Sequence, residues 1–217
     1  MIAGLWAAPC LADHPTPSCH YNVSSWSVSR RTTVDHHTIR KNYTDVTADE
    51  RDPAEPRCSI CEEDQRQIAP AGLGWPNVSA FRICHVYQKH IEDALREIAK
   101  SKEFKILTLT GYRPGRTRGP VVDGLRSQLS NHSFGTALDV NAGHNGLYAK
   151  CDIREISLES LKQCKLNVGG SWDPLKRKAT SVVSNGVVHK AFASFWKWGG
   201  EIHGNIRDLM HFSITGY

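Results

Sequence analysis

The sequence has no hydrophobic run long enough to cross a membrane. Its most apolar segment, residues 1–12, is uncharged but falls short of the roughly 20 residues that a transmembrane helix needs. The segment ends in Leu11-Ala12 before Asp13, as a secretory signal does, although the usual positive start is missing. We therefore expect a truncated signal segment and a secreted or periplasmic protein; a disordered or buried N-terminus is the alternative.

Internal repeats and low-complexity tracts are also absent, which argues against a solenoid or a fibrous protein. A chain of 217 residues corresponds to one domain, or to one domain with an extension. We expect an N-terminal extension over residues 13–62 and a main domain over residues 63–217, with a linker at residues 52–56. A core of this size needs no metal to hold it together.

The formal charge is +5 and the isoelectric point is about 8.8. This balance suits a polyanionic partner, such as a cell-wall polymer, a membrane surface or a nucleic acid, but it is equally compatible with ordinary solubility.

A second Cys-x-x-Cys pair is missing beside Cys58-Ser59-Ile60-Cys61, so a cysteine-based zinc cluster is not indicated. Cys10 would leave with the signal segment, and the remaining even number favours structural disulfides in an oxidising compartment. These six are Cys19, Cys58, Cys61, Cys84, Cys151 and Cys164. Cys151 and Cys164 flank one short polar segment, and we predict that they are paired.

Periodicity predicts an α+β fold, with helices packed on a mostly antiparallel sheet. Apolar residues at three- and four-residue steps indicate a helix over residues 81–100, and a second helix is predicted over 187–198, ended by Gly199-Gly200. The predicted strands and irregular segments are a hairpin within 21–34, strands at 104–110, 136–141 and 211–214, and a basic loop at 111–124.

Two short stretches carry the chemistry of the chain. The first, residues 130–139, contains His132 and Asp139, and the second contains Asp208 and His211. Catalytic zinc sites use three nitrogen or oxygen side chains and leave a fourth position for water, whose pKa the metal lowers to about 7. We therefore predict that His132, Asp139 and His211 bind zinc and that Asp208 lies beside the water.

The motif Ser-x-His-x-x-Gly-x-Ala-x-Asp, followed by Trp-x-Trp-Gly-Gly and Asp-x-x-His-Phe, resembles the zinc D-alanyl-D-alanine carboxypeptidase family. That family includes vancomycin-resistance carboxypeptidases and dipeptidases and phage L-alanyl-D-glutamate endolysins, and its metal core is shared with hedgehog signalling domains. The resemblance covers residues 106–217. It implies a hedgehog/DD-peptidase-like zinc peptidase core, with the same three ligands and with Asp208 as catalytic base.

The resemblance also implies that Arg113, in the Gly-Tyr-Arg segment, contacts the substrate carbonyl or carboxylate. The chain departs from the commoner family pattern at Gly115-Arg116-Thr117-Arg118-Gly119 and at Glu201-Ile202-His203. We expect Arg116 and Arg118 to bind the free carboxylate of a peptide end, unless they only form a solvated loop. His203 is expected near the substrate, as a rival base or a proton donor. Ser130 either bonds substrate or caps the turn before His132.

The expected function is a secreted zinc metallopeptidase that hydrolyses peptidoglycan stem peptides, as a D-alanyl-D-alanine carboxypeptidase. The alternatives are an L-alanyl-D-glutamate endopeptidase and a non-catalytic zinc-containing wall-binding or signalling module. Asp208 argues against the module, because a structural zinc site has no use for a base. The expected partners are peptidoglycan peptides, with no nucleic acid and no transmembrane segment, and the protein is expected to be a monomer.

Overall fold

The structure is a computed structural model that describes residues 18–202 and 204–216. The predicted signal segment and His203 therefore lie outside the described residues. The helices are α1 (Gln88–Ser101), α2 (Leu158–Leu161) and α3 (Val187–Phe192). The strands are β1 (Ser18–Ser27), β2 (Thr32–Asn42), β3 (Gln65–Ile68), β4 (Phe81–Cys84), β5 (Leu109–Thr110), β6 (Gly115–Val122), β7 (Leu125–Leu129), β8 (Ala137–Val140), β9 (Leu147–Ala149), β10 (Lys165–Val168), β11 (Lys197–Trp198), β12 (Ile206–Asp208) and β13 (His211–Ser213).

The strands form several small sheets. Two of the sheets have four strands, in the orders β2-β1-β6-β7 and β11-β13-β8-β5, and the others join β10-β9-β12 and β3-β4. Their pairings are antiparallel, except that β1 runs parallel to β6. The α+β class is confirmed, but the antiparallel pairs do not form one main sheet, because most strands have only two to five residues. The hedgehog-type core stays a prediction.

The first helix begins later than its apolar pattern predicts. Residues 81–84 form β4, in which Phe81 and Ile83 are buried while Arg82 between them is exposed. This two-residue alternation suits pairing with β3 better than it suits a helix. A 3-10 turn, His85–Tyr87, then leads into α1. Within the described residues, no helix is both long and apolar enough to cross a membrane.

The second predicted helix is shorter than expected and does not end at the Gly199-Gly200 pair. α3 ends at Phe192, and the chain turns so that Trp198 pairs with Phe212 across β11 and β13. Residues 197 and 198, which were predicted to end the helix, therefore pair in a sheet instead. Of the strand predicted at 104–110, only Leu109–Thr110 is a strand. The strands predicted at 136–141 and 211–214 are confirmed as β8 and β13.

The segment predicted as a basic loop at 111–124 is mostly a hairpin. β6 and β7 are antiparallel, and Val122 pairs with Leu125. The two residues between them, Asp123 and Gly124, have φ of 50° and 80°. Two positive values define a type I′ turn, for which Asp-Gly is a strong sequence signal. The predicted first hairpin is confirmed and extends further, as β1 and β2.

Three disulfides link the six described cysteines: Cys19–Cys61, Cys58–Cys84 and Cys151–Cys164. The predicted pair is confirmed, and Cys58, Cys61 and Cys84 are not a zinc cluster.

The N-terminal strand packs into the common core through buried Cys19, Tyr21 and Val23. Asp52 is buried as well, accepts hydrogen bonds from the backbone nitrogens of Ala54 and Glu55, and receives the hydroxyl of Thr136. The interpretation of residues 52–56 as a linker is therefore wrong, because the segment is a packed turn. The division at residue 62 stays a prediction.

Candidate metal centre

Strand pairing brings the two sequence motifs together. β8 and β13 are antiparallel neighbours, and their register places Asp139 directly opposite His211. Side chains of directly opposed residues lie on the same face of a sheet, with Cβ atoms about 5 Å apart. The two motifs are about seventy residues apart in sequence, and the pairing of Asp139 with His211 thus brings them together.

The third member, His132, comes from the 3-10 turn Asn131–Phe134 just before β8. The Nδ1 atom of His132 lies 2.8 Å from the carbonyl oxygen of Gly111. A carbonyl oxygen only accepts, so Nδ1 carries the proton, and the Nε2 atom of neutral His132 presents a lone pair. A backbone carbonyl that orients a histidine in this way is common behind metal ligands.

One ligand atom from each of His132, Asp139 and His211 lies within 4.8 Å of the others, and all three residues are buried. Asp139 Oδ1 is 3.1 Å from His132 Nε2 and 3.0 Å from His211 Nδ1. The lone pair of His132 Nε2 therefore faces a carboxylate oxygen with no proton between them when the histidine is neutral. Among the described residues, the buried Nε2 of His211 has no hydrogen-bond partner. A cation at this position satisfies these groups, and two imidazoles with one carboxylate suit zinc.

The two histidines also stabilise the charge of Asp139. Burial alone would raise the pKa of its carboxyl group, but the charges and hydrogen bonds of His132 and His211 hold that pKa well below its usual range. Asp139 is therefore an anion at neutral pH, the form in which a carboxylate binds a metal.

Asp208 ends β12, and its backbone nitrogen donates to Gly199 at 3.2 Å. The residue is partly exposed, yet its Oδ1 is buried and lacks a hydrogen-bond partner among the described residues. Burial raises the pKa of Asp208 to about 6; the charge of Asp139 adds to this increase, and those of His211 and Arg113 oppose it. Asp208 precedes His211 by three residues, so these charges act on it from the candidate metal centre and its rim. A carboxyl group with this pKa can exchange protons near neutral pH.

The raised pKa of Asp208 predicts a stability effect in metal-free protein. Below about pH 4 the carboxyl of Asp208 is protonated in both the folded and the unfolded protein. Between about pH 4 and 6 it stays protonated only in the folded protein. Stability therefore falls as pH rises through this window, by at most about 3 kcal/mol. In EDTA, Asp208→Asn should be stabilised relative to wild type at pH 7.5 and much less so at pH 4.5, as measured by urea denaturation. An effect of equal size at both pH values would contradict the prediction.

Arg113 lies at the mouth of the cluster. Its Nη2 is 3.3 Å from Asp139 Oδ2, its backbone nitrogen donates to the His132 carbonyl, and its side chain is 52% exposed. The structure thus brings Arg113 together with the predicted zinc ligands, while its guanidinium remains accessible from solvent.

The other predicted substrate-binding residues are more dispersed. Ser130 Oγ is buried without a hydrogen-bond partner among the described residues, two positions from His132. Arg118 donates from Nη1 to Asn131 Oδ1 at 2.6 Å, beside His132. Arg116 lies on β6, where it pairs with Ser25 of β1 and Leu129 of β7 in the N-terminal sheet.

Sequence reasoning missed the Gly111 carbonyl, because a backbone oxygen leaves no residue-type signature. Two other polar residues, His144 and Glu201, have partners of their own. His144 Nδ1 contacts the hydroxyl of Thr180 at 2.7 Å, and Glu201 lies 3.0 Å from Nε2 of His189. Glu201 therefore orients a neighbouring histidine.

Comparison with known families gives one match. Residues 124–214 match the family described as D-alanyl-D-alanine carboxypeptidase, and this span contains His132, Asp139, Asp208 and His211. Arg113, Arg116 and Arg118 precede it. No curated protein and no solved structure matches the chain. The match is to a peptidase family and agrees with the resemblance that the motifs carry, over residues 124–214.

Proposed function

We propose that this chain is a secreted zinc peptidase that hydrolyses the stem peptides of peptidoglycan, as a D-alanyl-D-alanine carboxypeptidase. The observation that carries the proposal is the buried cluster of His132, Asp139 and His211, together with the buried Oδ1 atom of Asp208, which has no hydrogen-bond partner among the described residues. A structural zinc site is usually closed by four protein ligands, whereas a catalytic site has three and an open position. The three disulfides agree with an oxidising compartment such as the cell exterior or the periplasm.

Peptide hydrolysis requires a base for the attacking water and an acid for the leaving nitrogen. When bound, zinc polarises the substrate carbonyl and makes water more acidic. Asp208 accepts the proton of the attacking water on its carboxylate and then donates it to the leaving nitrogen. Its pKa of about 6 makes both transfers feasible at neutral pH.

Arg113 is proposed to stabilise the negative charge that develops on the carbonyl oxygen. In the structure it is held by Asp139 through one nitrogen, and its exposed side chain leaves other N–H groups for substrate. Losing one such donor typically costs about 3 kcal/mol of transition-state stabilisation. Ser130, Arg116, Arg118 and His203 are proposed to contact the rest of the substrate.

The proposal is tested by digestion of purified muropeptides that end in D-alanyl-D-alanine. Mass spectrometry of the products should show release of the terminal D-alanine, its loss after EDTA treatment and its recovery on addition of zinc. Cleavage between L-alanine and D-glutamate would instead make the chain an endopeptidase. Zinc and muropeptide binding without any cleavage would contradict an enzymatic role and favour the wall-binding or signalling module.

The position of Asp208 depends on the glycine at position 199. A Cβ there would lie 2.5 Å from the Asp208 carbonyl oxygen and 2.8 Å from that of Gly216. Gly199→Ala should therefore displace Asp208 and lower turnover on the order of 10²-fold, as a shift of about 1 Å can do. The measurement is the rate of D-alanine release together with the zinc content of the variant.

Gly143→Ala is the matched control for Gly199→Ala, because a Cβ at position 143 would meet no atom within 4 Å. It should retain activity. Equal activity of the two variants would show that Gly199 does not position the base.

A further inference from the structure

A cluster of exposed apolar side chains lies at the common end of the β1–β2 and β6–β7 hairpins. Val28, Val121 and Val122 are 42%, 47% and 56% exposed. They are neighbours, because the Val28 nitrogen donates to Gly124 at 3.0 Å and Val122 pairs with Leu125. We call this surface the hairpin tip and define it as Val28, Arg30, Arg31, Val121 and Val122.

The hairpin tip is also the end of two basic hairpins. Residues 18–42 carry a net charge of +3 and residues 115–129 carry +2, which together equal the formal charge of the whole chain, +5. Arg30 and Arg31, in the turn of the first hairpin, are exposed. Within the described part of the chain, their guanidinium groups form no hydrogen bond or ion pair. Their charge is therefore not neutralised by the protein itself.

The position of the hairpin tip relative to the candidate metal centre is set by β6. This strand starts at Gly115, whose nitrogen donates to Ser133 Oγ next to His132, and it ends at Val122. β6 is bulged, so that its residues 116–122 span the length of the five β7 residues; at about 3.3 Å per residue this puts the tip roughly 15 Å from Gly115. Because β1 and β6 are parallel, both hairpins point in this direction.

We propose that the hairpin tip binds the surface of an anionic lipid bilayer. The arginines complement negative head groups, and the valines enter the boundary between head groups and acyl chains, where their exposed surface is removed from water. A soluble polyanion would use the arginines alone and would leave the valines in water. Binding in this orientation holds the metal centre roughly 15 Å above the lipid, the length of the hairpin.

The test is co-sedimentation of the full chain with vesicles of phosphatidylcholine alone or mixed with phosphatidylglycerol. Wild type should bind the anionic vesicles much more strongly. Val121→Ser with Val122→Ser should weaken binding on the order of 10-fold or more, since each valine loses its buried surface. Arg30→Gln with Arg31→Gln should weaken it about 20-fold at low salt, and less at 0.5 M salt, where charges are screened.

Two double variants are matched controls, because they change equally exposed groups elsewhere. Leu166→Ser with Val168→Ser removes exposed apolar side chains of β10, and Lys162→Gln with Lys176→Gln removes two exposed charges. Both should bind vesicles like wild type. Any contribution of residues 1–12 to vesicle binding is the same in all variants. Unchanged binding by the valine variant would overturn the proposal. Heparin, a soluble polyanion, is added as a competitor for vesicle binding. If only the arginine variant loses vesicle binding and heparin abolishes the binding of wild type, the surface binds soluble polyanions and the proposal is wrong.

Discussion

Replacement of Asp208 with alanine should lower turnover by about 10²- to 10⁴-fold, the range expected for loss of a general base. The zinc content should stay near that of wild type, because His132, Asp139 and His211 remain. The physical reason is the environment of the carboxylate, whose Oδ1 atom is buried without a hydrogen-bond partner among the described residues and whose pKa burial raises to about 6. The measurement is the initial rate of D-alanine release at saturating muropeptide, with zinc determined by atomic absorption.

Two further variants separate the role of Asp208 from those of its neighbours. Arg113→Ala should also slow turnover, through weaker stabilisation of the developing oxyanion. His203→Ala should have a much smaller effect than either. If Asp208→Ala keeps near-full activity while His203→Ala is inactive, the base is His203 and the assignment of Asp208 is wrong.

The sequence predicted which side chains come together at the candidate site better than it predicted the fold around them. His132, Asp139 and His211 lie in short motifs whose spacing carries chemical information, and the structure brings them together as expected. The first motif also includes Asp139, which lies on β8, within the strand predicted over residues 136–141.

Tertiary contacts explain the errors in the prediction of secondary structure. The apolar residues before Gln88 fit a helical stripe, but pairing with β3 and the disulfide from Cys84 to Cys58 make β4 of them. Neither the pairing with β3 nor the disulfide can be predicted from the periodicity of one sequence. The β6–β7 hairpin was predictable, since Asp123-Gly124 is a turn signal that the many arginines around it obscured.

Replacement of Asp139 with asparagine should lower zinc affinity by more than about 100-fold, which exceeds the range for residues that only support a ligand. The carboxylate is the one anionic member of the cluster, and its Oδ1 is shared by both histidines. An amide keeps the shape but brings no charge. The measurement is the zinc dissociation constant, from competition with a chelator, together with zinc content after dialysis.

Asp93→Asn is the matched control for Asp139→Asn, because Asp93 is an exposed acid on α1 that pairs with Lys89 and Arg96. It should bind zinc like wild type. Thermal unfolding adds an independent readout, since zinc at 100 times its dissociation constant stabilises the folded state by about 2.7 kcal/mol. That gain should disappear in Asp139→Asn at the same zinc concentration, while circular dichroism shows a folded chain. Full zinc binding by Asp139→Asn would show that the carboxylate of Asp139 is not a zinc ligand.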